Sequence, residues 1–104
     1  MDEKILKIAT ELKENISDKY KVDDFRVFGS VARRQQNRES DIDVFVVLDY
    51  VDRTIEEELF DISYDLELKY DCLIDLIVIG KEALHGKISY APVYVRAMEE
   101  GVAI

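Results

Sequence analysis

A chain of 104 residues is long enough for one hydrophobic core and too short for a catalytic domain plus a separate acceptor-binding domain, so residues 1–104 read as one domain. Hydrophobic residues at 48% and charged residues at 36% exclude a disordered chain. The 23 acidic against 14 basic residues leave a net charge of −9, which repels phosphate polymers and removes any expectation of direct nucleic-acid binding.

One cysteine, Cys72, and one histidine, His85, rule out an intrachain disulfide and a zinc site. The longest apolar runs fall far short of a membrane span, and the N-terminal MDEKILK lacks a basic head followed by an apolar stretch. The expected location is the cytoplasm.

In chain order, Ile5, Ile8, Leu12 and Ile16 recur at helical spacing from Asp2 to about Ser17, with Asp2 placed to cap the first turn. Phe25–Phe28 reads as a short strand that stops at Gly29-Ser30, followed by a helical turn over 31–34 and a polar loop over 35–40. Ile42–Leu48, rich in β-branched and aromatic residues, predicts a second strand. A second helix runs to about Tyr70, capped by Asp52 or Thr54, with Ile55, Leu59, Ile62 and Leu66 on one face and Glu56–Glu58 solvated at its start. A strand over Leu73–Ile79 ends at Gly80, and a last helix spans 89–100 with Pro92 near its start and Gly101 at its end. Strand, helix, strand is a crossover unit, so Ile42–Leu48 and Leu73–Ile79 should lie parallel and adjacent in a small mixed sheet of an α/β (α+β) fold.

Chemistry concentrates at one end of that sheet. Asp41 and Asp43 alternate with Ile42 and Val44, so the two carboxylates project to one face and repel unless a proton or cation joins them. Asp75 interrupts the apolar run CLIDLIVI, where a charge without a partner is costly. With the two strands adjacent, three carboxylates can converge, and hard oxygen ligands of this kind suit Mg²⁺ completed by water and substrate phosphates. Gly29 permits close approach of a phosphate, and Ser30 at the start of a helical turn offers a hydroxyl and exposed N–H groups. An antiparallel pairing of the first two strands would bring this turn beside Asp41 and Asp43. Taken singly, a Gly-Ser is a turn and an Asp-x-Asp a solvated strand start; in this order one site for a triphosphate and its metal accounts for all of them. His85 reads as a surface residue, Cys72 as a packed small hydrophobe, and Tyr90 and Tyr94 as a packing face of the last helix.

These residues, Phe28-Gly29-Ser30, ten further residues, Asp41-Ile42-Asp43 and the later Asp75, resemble the minimal nucleotidyltransferases (MNT) of the DNA polymerase β superfamily, the antitoxins of HEPN/MNT toxin–antitoxin pairs. The ending APVYVRAMEEGVAI is similar to their C-terminal helix and Glu-Gly close. The resemblance implies a polymerase β-like nucleotidyltransferase fold, with Asp41, Asp43 and Asp75 as catalytic metal ligands for Mg²⁺, two ions in all, and ATP as substrate. It further implies that Gly29 and Ser30, with Arg33 and Arg34, hold the phosphates, and that AMP passes to a tyrosine hydroxyl of a partner HEPN ribonuclease. Where similar proteins carry Ala-Arg-Gly after the turn, this chain has Ala32-Arg33-Arg34. Two rival functions stand beside this one. A non-catalytic antitoxin inhibiting by tight binding would have no need of clustered acids, and a small-molecule nucleotidyltransferase of the antibiotic-modifying kind would need a homodimer to build its pocket.

Overall fold

The computed structural model describes residues 1–29, 41–86 and 91–104. Helix α1 (Glu3–Ser17) opens the chain, capped by the Asp2 carboxylate, which accepts from the Lys4 N–H at 2.7 Å. Strands β1 (Val22–Phe28) and β2 (Ile42–Leu48) pair antiparallel. Helix α2 (Arg53–Tyr70) then leads to β3 (Ile74–Gly80), parallel to β2. A 3-10 turn at Lys81–His85, helix α3 (Pro92–Glu100) and a two-residue strand β4 (Val102–Ala103) complete the order. The sheet runs β3-β2-β1-β4, mixed in direction as the sequence predicts.

Of the two caps the sequence allows for α2, Asp52 is the one used, accepting from the Ile55 N–H at 2.8 Å. The expected β2 bounds hold at both ends. β1 begins three residues earlier than its apolar pattern suggests, because main-chain pairing to Leu48 and Val47 extends it across a bulge between Val22 and Asp24. Arg26 partners Asp24 there at 3.0 Å, which explains why polar residues tolerate the strand. β3 starts one residue later than expected and includes Gly80, while Leu73 stays 62% exposed before it. β4 and the 3-10 turn carry no periodic signal in the sequence, being two and five residues long. Residues 30–40 and 87–90, and with them the expected helical turn and polar loop, lie outside the described residues; the last helix, expected from 89, begins at Pro92 behind an extended Ala91.

The sheet divides two apolar clusters. Ile42, Val44, Val46 and Leu48 of β2 face α1 and α2 and meet Ile8, Leu12, Ile16, Leu59 and Leu66. Phe45 and Val47 turn to the other side and meet Phe28, Ile79 and Ala97 beneath α3. β2 is thereby covered on both faces, which accounts for its nearly continuous apolar run. Glu58, expected within a solvated run, instead accepts from Lys19 and the Tyr20 hydroxyl, because α2 starts beside the end of α1. At the other end of α2, Glu11 accepts from Lys69 and the Tyr70 hydroxyl. Two glutamates thus tie the helices together at both ends of their contact.

The α1/α2 layer should therefore dominate stability. Leu12→Ala, at a fully buried position, is expected to cost about 2–5 kcal/mol in urea unfolding, whereas Leu68→Ala on the exposed side of α2 should stay within about 0.5 kcal/mol of wild type.

Candidate active site

Backbone register assembles the site. In the parallel ladder, Asp43 of β2 is the partner of Asp75 of β3; in the antiparallel ladder, Asp43 is the partner of Phe28 of β1. Alternation along β2 puts Asp43 on the face of Phe45 and Val47, the face covered by α3. The acid pair therefore sits on the α3 side of the sheet, apart from the main core. Asp41 immediately precedes β2 and is exposed, as is Asp75, while Asp43 is half-buried.

Gly29 completes this corner. It is buried, follows the last residue of β1, and adopts a left-handed φ of 77°. A Cβ placed there would run into the Asp43 carboxylate oxygen. Glycine is required twice, once by the backbone conformation and once because Asp43 occupies the space a side chain would take. The expected meeting of the turn with the Asp-x-Asp strand is thus seen at Gly29. Ser30, Arg33 and Arg34 lie outside the described residues.

The electrostatics follow from the geometry. Burial, then the charges of Asp75 and Asp41, push the Asp43 carboxyl above its ordinary value of 3.8; Arg96 of α3 pulls in the opposite direction, and a hydrogen bond with Asp75 adds to the rise. Arg96 is a functional candidate that reading the sequence missed. Helical periodicity identifies it only as an exposed neighbour of Ala97, and nothing in the chain order announces that α3 crosses the face carrying Asp43.

The donor set suits a hard divalent cation. Among the described residues no group of three or more Asp, Glu, His or Cys side chains gathers closely enough to hold a metal ion by itself. What the fold supplies is a registered pair, Asp43 and Asp75, with the charge of Asp41 beside it. Magnesium is commonly bound by one or two protein carboxylates and completed by water and substrate phosphates, so the pair fits that ion better than a closed protein cage would.

Of the other sequence candidates, Tyr90 lies outside the described residues. His85 is exposed on the 3-10 turn, and Tyr94 packs edge-on against Phe45 with ring centroids 5.8 Å apart. Burial pushes the half-buried Cys72 thiol upward, away from the reactive thiolate, as expected of a small packed side chain. No helix among the described residues is long and apolar enough to cross a membrane.

Residues 9–104 match the family model of the nucleotidyltransferase domain. The Methanocaldococcus jannaschii protein named "Putative protein adenylyltransferase MJ1379" is 36% identical over 81 residues, covering 78% of this chain and 79% of that protein. Among solved structures, a chain of a toxin–antitoxin complex with AMP-PNP superposes with a TM-score of 0.60 at 20% identity, covering 91% of this chain and 70% of its own. A chain of the complex between a tri-AMPylated Shewanella oneidensis HEPN toxin and an MNT antitoxin gives a TM-score of 0.51 at 22% identity, covering 95% and 66%. At those identities the two structures share the fold of this chain.

Two outcomes test the corner. Because the folded state holds the Asp43 proton more tightly than the unfolded chain, wild-type stability falls as pH rises from about 3.8 through the raised value. Asp43→Asn removes that cost, so in metal-free buffer its melting temperature should exceed wild type at pH 7, and the difference should close as pH falls through this interval. Gly29→Ala should lose at least about 1–2 kcal/mol in urea unfolding from the left-handed backbone alone, with the collision against Asp43 added to it.

Proposed function

The chain belongs to the nucleotidyltransferase domain family, and from that premise we propose that it transfers AMP from ATP to a tyrosine hydroxyl of a partner HEPN ribonuclease toxin, silencing it as an antitoxin. The observation that carries this reading is the registered pair Asp43 and Asp75, set beside a buried left-handed Gly29. A binding protein gains nothing from like charges held in register, one of them half-buried, and they lower its stability. The adenylyl group is favoured by the names of the curated relatives, and the toxin partner by the complexes among the fold neighbours. The chemistry belongs in the cytoplasm, where ATP and a ribonuclease target meet.

On this reading Asp41, Asp43 and Asp75 hold Mg²⁺, two ions when the site is filled. Bound Mg²⁺ supplies charge neutralisation at the phosphates and lowers the pKa of the attacking hydroxyl. The chain's own groups do the rest. Asp75, exposed at the start of β3, accepts the tyrosine proton. The tyrosine oxygen forms a bond to the α-phosphorus in line with the bond that breaks, between that phosphorus and the oxygen bridging to the β-phosphate. The electron pair leaves on pyrophosphate, which the Gly29-Ser30 turn holds, with Arg33 and Arg34 contributing positive charge. The product is an AMP-tyrosine phosphodiester, whose negative charge and bulk oppose RNA phosphates at the ribonuclease surface.

The test is a transfer assay with α-labelled ATP, Mg²⁺ and the HEPN protein encoded beside this chain. Label should pass to the partner, disappear on chelation of the metal, and fall by at least about 100-fold in Asp43→Asn. Equal label from Asp43→Asn and wild type would sink the site assignment. An unlabelled partner in a tight, ATP-independent complex would indicate inhibition by binding alone.

A further inference from the structure

Helix α3 does more than cover apolar surface. It lies on the sheet face that carries Asp43, anchored where Tyr94 meets the ring of Phe45, two residues along β2 from Asp43, and where Ala97 is fully buried in the same cluster. Its end is fixed as firmly. The Gly101 N–H donates to the Ala97 carbonyl at 2.9 Å, a Cβ on Gly101 would crowd the Cβ of Arg26, and β4 then pairs Val102 with Val27. Arg96 lies between Tyr94 and Ala97 along α3 and is exposed.

Arg96 takes part in no ion pair among the described residues and is carried on α3, the helix that covers the sheet face of Asp43. A guanidinium serving only as structural counter-ion would gain most by a direct two-point contact with a carboxylate. One held near the acids but not locked onto them keeps its planar fork available for an anion that arrives together with a metal. The overall charge of −9 makes such a cation more necessary, since a triphosphate must approach an acidic surface.

We infer that Arg96, carried on α3 at the Asp43 side of the sheet, binds the triphosphate of the nucleotide and stays with the pyrophosphate as it leaves. This assignment rests on the nucleotidyl-transfer reading and adds to it a phosphate ligand from the C-terminal helix, a part of the chain distant in sequence from the Gly29-Ser30 turn. The turn then engages the phosphates from the β1 end and Arg96 from α3, so the nucleotide itself joins α3 to the corner of the sheet. It also gives Arg96 a role that Lys cannot fully replace, because a point charge lacks the fork.

Calorimetric titration of wild type, Arg96→Gln and Arg96→Lys with a non-hydrolysable ATP analogue and Mg²⁺, and separately with adenosine, tests the assignment. Arg96→Gln should weaken the analogue by about 10–100-fold, the loss of a charge-assisted contact, and leave adenosine affinity unchanged. Arg96→Lys should fall between the two for the analogue. If Arg96→Gln melts lower than wild type but binds the analogue as tightly, Arg96 is a counter-ion of the acids and the assignment is overturned. Equal loss for adenosine and analogue also overturns it, since that would mark a general disturbance of the site. Should Arg96→Gln fail to fold, Arg96→Lys carries the test, and analogue affinity equal to wild type in that variant overturns the role of the fork. A wild-type protein that binds no analogue at all would overturn the nucleotidyl-transfer reading together with this assignment, a result distinct from failure at Arg96 alone.

Discussion

The parallel register of β2 with β3 is the constraint from which the rest of the corner follows. Once Ile42 stands beside Ile74, Asp43 must stand beside Asp75, because side chains on one face of a sheet recur every second residue and cannot shift singly. The same register sends Ile42, Val44, Val46 and Leu48 to the α1/α2 side, where thirteen buried residues among those described form the larger core. A slip of β2 by one residue would turn Asp43 in among leucines and isoleucines and move Ile42 and Leu48 to the face beneath α3. The hydrophobic core thus enforces the placement of the acids, and their mutual repulsion is sustained by packing on the opposite face.

Gly29 shows how closely the two parts are matched. Its left-handed backbone ends β1 at the level of Asp43, and the space beside its Cα is taken by that carboxylate. Gly29 and the acid pair adjoin one another at one corner of the sheet. Ordinary loop arguments favour glycine in such a turn for conformational freedom alone; here the neighbouring carboxylate adds a steric reason of comparable weight.

Much of this was legible in the residue order, for identifiable physical reasons. The bounds of β2 and the cap and end of α2 follow from a long apolar strand and from Asp52 ahead of a periodic helix, signals that tertiary structure reinforces. The parallel pairing of β2 and β3 follows from the intervening helix, and with it the adjacency of Asp43 and Asp75. What the order concealed depends on three-dimensional closure. β4 forms only because α3 delivers Val102 to the open edge of β1, and Glu58 is tied down only because Lys19 and Tyr20 lie beside it. Arg96 belongs to the same class, since its relevance comes from the helix crossing and has no local signature.

The two faces of β2 divide labour in a way that bears on how such a protein can change. Even-numbered positions of the strand contribute to folding and odd-numbered ones, from Asp43 onward, to the surface beneath α3. Most proteins mix these demands, so that a gain in activity is often taken from stability. Here the sheet acts as a partition. The glutamate ties, at the ends of the α1/α2 contact, can be reinforced without touching the face of the carboxylates. Conversely, exposed positions of α3 can be changed while the larger core holds the fold from behind.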